Sequence, residues 1–267
     1  MTAMTGTSPS PYDQRVDDVV AAFAAEGQAL DAFLADLTPE QWQHPSECAG
    51  WSVADVVLHL AQTEEAVVST FEDGNAIRPF AAHLEDAAAT IGNGIDDLAE
   101  VAVVADRVDD PAVPFARWRA AHAASLGYLA EADPHARLNW IAVPLSARTL
   151  TTTRLSEHWI HSMDIREALG DPAPDTDRLA HIARLAWRTL PYAFGLAGEE
   201  APTVQVRLTG PGGDAWVFGD DDAAVHITGP AGDWCRVGAR RLAPGDAALV
   251  VDGPGGDRVL ALARNYA

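Results

Sequence analysis

Basic residues are scarce in this chain. Lysine and arginine number 18 against 39 aspartates and glutamates, a formal net charge of −21 over 267 residues. Affinity for DNA or RNA rests on cations that neutralise phosphates, and an acidic surface repels anionic lipid as well. Nucleic acid and membrane are therefore not expected as partners, and a small-molecule substrate is. Cysteine is almost absent. Cys48 and Cys235 have neither the number nor the spacing of a disulfide framework or a four-thiolate zinc site, so two reduced thiols are expected. Long apolar runs are missing too, since none approaches the roughly 20 residues of a membrane helix. The opening stretch Met1 to Pro11 lacks both the basic start and the apolar core of a signal peptide. The expectation is a cytoplasmic protein, monomeric or a homodimer.

What is present is helical periodicity over the first two-thirds of the chain. Val16 to Leu37 spaces Val19, Val20, Phe23, Leu30, Phe33 and Leu34 as one helix face, and Thr38-Pro39 is expected to end it. Ser52 reads as an N-cap, with Asp55 completing a capping box built on a shorter acid. Further helices are expected over Ala81 to Val104, interrupted at Gly92 and Gly94, and over Pro114 to Ala132. A long one opens at Ser146 or Thr149 and stops at Gly170, and another runs from Asp175 to Leu190 and ends at Pro191. Near residue 199 the texture changes to period-two alternation. Strands are expected at Val204 to Leu208, Ala215 to Phe218, Ala224 to Thr228 and Ala247 to Val251, with helices at Ala231 to Leu242 and Asp257 to Tyr266. The expected fold class is α+β, a four-helix bundle over 1–198 followed by a small α+β domain over 199–267.

The chemistry concentrates in the long helix near residue 160. Glu157 and His161 are four apart, so both leave the same helix face, and Asp164 lies three further on. Bundles build metal sites from inward carboxylates and imidazoles, with the remaining donors on facing helices. The third donor is His59, a lone imidazole in the aliphatic stretch Val56-Val57-Leu58-His59-Leu60. Two histidines and one carboxylate leave positions open for water or substrate, as at catalytic zinc or iron sites. On the residues alone, the pattern is more often a solvated Glu157 pair with His161 or Arg154 and a hydrogen-bonded core His59 than a metal site. His158, on a neighbouring face, is expected to be exposed or to support the ligands from behind.

Asp55-x-x-x-His59-Leu60 following Gly50-Trp51, with Glu157-x-x-x-His161-x-x-Asp164 far downstream, resembles the mycothiol-dependent maleylpyruvate isomerase family of actinobacterial proteins. That family belongs to the DinB-like helical-bundle superfamily. Val206-Arg207-Leu208, Trp216-Val217-Phe218 and Ile227-Thr228-Gly229-Pro230 resemble the family's appended domain, which is similar to sterol carrier proteins. The resemblance implies a divalent metal, usually zinc, held by His59, Glu157 and His161, and a low-molecular-weight thiol as cosubstrate. The metal would lower the thiol's pKa, and the thiolate would be transferred to a small electrophilic metabolite or would isomerise it about a double bond. A thiol-independent metal-assisted hydrolase, lyase or cyclase stays open, as does a non-enzymatic metal- or small-ligand-binding protein.

Two catalytic candidates accompany the ligands. Asp164 is expected to orient an imidazole or act as a base. Arg240, with Arg241 beside it, is the candidate cation for an anionic substrate because the family brings the second domain toward the metal, and Arg148 and Arg154 compete from the bundle. Trp118 and Trp159 are expected in the core.

Overall fold

The computed structural model describes residues 18–81, 95–141 and 143–265. Contacts divide it into two compact units, residues 22–174 and the strand-bearing part that begins at Asp175.

The first unit is built on four long helices: α1 (Val19–Ala35), α3 (Val53–Asp73), α5 (Ala112–Glu131) and α6 (Ala147–Ala168). Leu30 and Leu34 of α1, Val56, Val57 and Leu60 of α3, Trp118 of α5 and Ile165 of α6 share one buried cluster. These are the positions that helical spacing turns to a common side. Between α1 and α3 lies α2 (Pro39–Trp42), a single turn where the sequence reading ends regular structure. Thr38 and Gln41 form a reciprocal capping box around it, and Pro39 occupies a first-turn position where its missing N–H is not needed.

The caps anticipated at α3 and α6 are both present. Ser52 accepts from the Asp55 amide, and Asp55 accepts from the Ser52 amide at 2.8 Å. Ser146 accepts from the Thr149 amide at 3.2 Å. Helix α4 (Ile95–Asp106) is the described part of the expected third stretch, whose interruptions at Gly92 and Gly94 lie outside the described residues, as do Met1 to Pro11. Strands β1 (Arg137–Leu138) and β2 (Leu145–Ser146) pair antiparallel just before α6.

In the second unit α7 (Leu179–Arg188) and α8 (Leu190–Leu196) precede the sheet. Pro191 opens α8 rather than ending the helical region, since proline is tolerated in a first turn. Strands β3 (Val204–Thr209), β4 (Ala215–Phe218), β5 (Val225–Pro230) and β6 (Val250–Asp252) lie in the order β4-β3-β5-β6. The β3–β5 pair is parallel (Val206 opposite Ile227) and the outer pairs are antiparallel. Helices α9 (Ala231–Gly238) and α10 (Gly256–Leu262) complete the unit.

The sequence texture changes near residue 199, but the compact units part between Pro174 and Asp175. The reason is that α7 packs with the strands and α9. Trp187 donates to the Val204 carbonyl at 2.8 Å, Trp234 to the Ala183 carbonyl at 3.0 Å, and Arg236 pairs with Asp175 at 2.7 Å. A change from helix to strand is visible in composition; a change of packing partner is not. Among the described residues no helix is long and apolar enough to cross a membrane.

Candidate metal centre

Helices α3 and α6 run through the first unit side by side, and their facing seam carries polar residues inside an otherwise apolar core. His59 of α3 meets Glu157 and His161 of α6. Glu157 Oε2 lies 3.7 Å from His59 Nε2 and 3.6 Å from His161 Nε2, and all three ligand atoms fall within 4.8 Å of one another. The two imidazoles meet edge to face, with centroids 5.0 Å apart. Both histidine side chains are 11% exposed and the carboxylate 21%, so the cluster opens on its Glu157 side.

These separations suit atoms about 2.0–2.2 Å from a shared ion better than they suit hydrogen bonds, which should be near 2.9 Å. His59 Nδ1 is buried with no hydrogen-bond partner, so nothing on the far side of the ring ties its Nε2 up as a donor. The set therefore fits a divalent ion with two imidazoles and one carboxylate. Burial pushes the Glu157 carboxyl up, but the neighbouring His161 and His59 imidazoles and the charge of Arg154 outweigh it and hold it well below the usual range. Burial dominates at His59 and pushes that imidazole down, toward the neutral form a ligand needs.

His161 is fixed from behind. Asp164 Oδ2 lies 3.0 Å from its Nδ1, across a single turn of α6. The Cys48 thiol reaches the same carboxylate at 3.1 Å and lies 3.7 Å from His161 Nδ1. The loop bearing Cys48 is docked on α6 by the Glu47 amide, which donates to the Asp164 carbonyl at 3.1 Å. Burial pushes His161 down, yet Asp164, Cys48 and Glu157 outweigh it and hold the metal-free imidazole well above 6.5. A raised folded value stabilises the protein fully below about pH 6.5, and that contribution is lost as pH rises through the folded value. Metal-free wild type is thus expected to exceed Asp164→Asn in stability most at acidic pH, with the gap narrowing above neutrality. Urea unfolding in chelator at several pH values measures it; a gap that widens with pH contradicts the assignment.

Two other clusters have metal-ligand spacing, and their bonding separates them from the first. In Cys48–His161–Asp164 the carboxylate already bonds both partners. In Glu64–His122–His158 both His158 nitrogens are committed: Trp118 donates to Nε2 at 3.0 Å, and Nδ1 lies 3.0 Å from the Arg154 carbonyl. Glu64 is taken by Arg154 at 2.8 Å and by the Ser125 hydroxyl. Burial, with the charges of His122 and Arg154, pushes His158 well down. Glu64 and His158 are thus committed to the core, although His122 Nδ1 is buried without a hydrogen-bond partner, and His158 is wholly buried, neither exposed nor behind the ligands as expected from its neighbouring face. Trp118 is in the core as anticipated, whereas Trp159 is half-buried.

Residues 23–166 match the mycothiol maleylpyruvate isomerase N-terminal domain, a span that covers more than half of the chain and includes His59, Glu157, His161 and Asp164. The chain belongs to this family. A protein of Mycobacterium tuberculosis (strain ATCC 25618 / H37Rv), itself uncharacterized, is 34% identical over 93% of this chain and 95% of its own, as is its counterpart in strain CDC 1551 / Oshkosh. The crystal structure of the mycothiol-dependent maleylpyruvate isomerase covers 90% of this chain and 95% of its own with a TM-score of 0.58, at 14% identity. A histidine-to-alanine variant of that isomerase gives the same TM-score at 13% identity. At such identity the likeness is one of fold, a helical bundle followed by a mixed α/β region with a small sheet. Homology to this isomerase family supports enzymatic activity for the chain.

Within the isomerase-family span, Cys48 and Glu64 are residues that sequence reasoning did not place near the ligands, and Arg154, read there as a solvated partner of Glu157 or a substrate cation, is buried against Glu64. Cys48 reads as an ordinary reduced thiol, and its partners are more than a hundred positions away. Arg240 lies outside that span, in the second unit, exposed just past α9 with φ 61°.

Proposed function

We propose that the chain is a metal-dependent enzyme that uses a low-molecular-weight thiol of the mycothiol kind to modify or cis–trans isomerise a small electrophilic metabolite. The observation that carries this is the convergence of His59, Glu157 and His161 inside the family-matched bundle. Zinc is the proposed ion, and when bound it would supply the charge that keeps a thiol as thiolate, the nucleophile for reversible addition to a conjugated double bond.

The protein's own residues divide the remaining work. Glu157 is held ionised and is the single anion among the proposed ligands, so a divalent site keeps net positive charge and draws anions. Asp164 accepts from His161 Nδ1–H, which presents Nε2 as the lone-pair side of the ring. The buried walls of α3 and α6 keep water from the inner face of the ligands.

Thiol use is tested without knowing the substrate. Cobalt(II)-substituted protein titrated with mycothiol is expected to develop a thiolate-to-metal charge-transfer band that saturates with one equivalent of thiol. Cobalt-loaded protein that shows no such band and no thiol binding by calorimetry overturns the thiol mechanism in favour of a thiol-independent reaction on the same scaffold.

A further inference from the structure

Beneath the ligands, along the same seam, sits a buried ion pair that the proposed chemistry does not use. Arg154 is 2% exposed and Glu64 0%, and the guanidinium donates to the carboxylate at 2.8 Å. Burying two such charges gains little as stability alone, because desolvation offsets much of their attraction. Their position supplies a second reason. Arg154 precedes Glu157 by three residues on α6, so their side chains are neighbours on one face. On α3, Thr63 follows His59 by one turn. Its hydroxyl donates to the His59 carbonyl at 3.0 Å and accepts from Arg154 at 2.7 Å. One hydroxyl thus links the guanidinium to the residue that carries the third ligand.

We propose that Glu64 and Arg154 form the charge-compensating floor of the metal centre: Arg154 positions the ligand layer, and Glu64 neutralises it so that a divalent cation can bind above. The proposal rests on the reading that His59, Glu157 and His161 hold the ion. A guanidinium in a dry seam repels a divalent ion across a low dielectric far more than it would in water. Its field reaches the ligands, since Glu157 is its neighbour three residues on along α6 and Thr63 joins it to His59. Glu64 in turn accepts from the Ser125 hydroxyl and from Arg154. The layer below the ligands is therefore neutral as a pair and cationic if Glu64 loses its charge.

Zinc affinity of the full-length protein, measured by competition with a chromogenic chelator, tests this. Glu64→Gln leaves Arg154 uncompensated and is expected to weaken zinc binding by about tenfold or more. The double variant Glu64→Gln/Arg154→Met removes both charges and is expected to return within about threefold of wild type. Glu64→Gln that binds zinc like wild type, or a double variant as weak as the single one, overturns the proposal and leaves the pair a packing feature. Should Glu64→Gln fail to fold, Thr63→Val keeps the side-chain shape while removing an acceptor from Arg154. It is expected to weaken zinc about threefold, and unchanged affinity again overturns the proposal. Wild type that binds no zinc strikes the underlying reading instead, so the two failures are distinguishable.

Discussion

His161→Ala is expected to lose bound zinc, with affinity falling by more than about a hundredfold. Removing a residue that only supports a ligand costs about ten- to a hundredfold in affinity, and removing the ligand itself costs more. His161 also carries the bond to Asp164 and approaches the Cys48 thiol, so the substitution dismantles the arrangement behind the ligand as well. Asp164→Asn keeps the imidazole but weakens its orienting partner, and its loss belongs in the ten- to hundredfold range. The informative control is His158→Ala. It sits beside Glu157 in sequence yet faces the core network, so it should destabilise the fold while leaving zinc stoichiometry intact. Equilibrium dialysis followed by elemental analysis reads all three. Full zinc in His161→Ala, or loss in His158→Ala from protein shown to be folded, contradicts the assignment of the two faces of α6.

Trp118→Ala is expected to have the largest effect on stability. The indole is 1% exposed in the cluster shared by α1, α3, α5 and α6, and large-to-small changes of this kind cost about 3–5 kcal/mol. The substitution also removes the indole N–H that donates to His158 Nε2, leaving a buried acceptor without its bond at a further cost of about 1–3 kcal/mol. A bundle of this size should lose on the order of 10 °C in melting temperature. Urea denaturation gives the free-energy change. A loss below about 2 kcal/mol would mean that Trp118 is not a central contact of the bundle.

Much of this molecule is legible in its sequence, and the reasons are local. Ser52 with Asp55 announces α3, Ser146 announces α6, and alternation announces β3 and β4. Glu157 and His161 share a face because helix geometry leaves no alternative once α6 forms. What was not legible depends on which faces meet. The Thr38–Gln41 box is hidden in the sequence because the Pro39 beside it reads as a breaker. His158 differs from Glu157 by one position, or about 100° around α6, and only packing against Trp118 shows that it belongs to the core. Cys48 comes beside Asp164 through a loop whose path no periodicity encodes. Arg154 reads as a surface arginine in a chain short of cations, whereas it is buried against Glu64 because α3 and α6 place them face to face.

The central claim, that His59, Glu157 and His161 form one metal centre, is tested most directly by anomalous diffraction at the zinc edge from crystals grown with zinc. The account predicts a single strong peak at about 2.0–2.2 Å from His59 Nε2, His161 Nε2 and a Glu157 carboxylate oxygen. No peak in the seam between α3 and α6, or one seated between Cys48 and Asp164 instead, would contradict it.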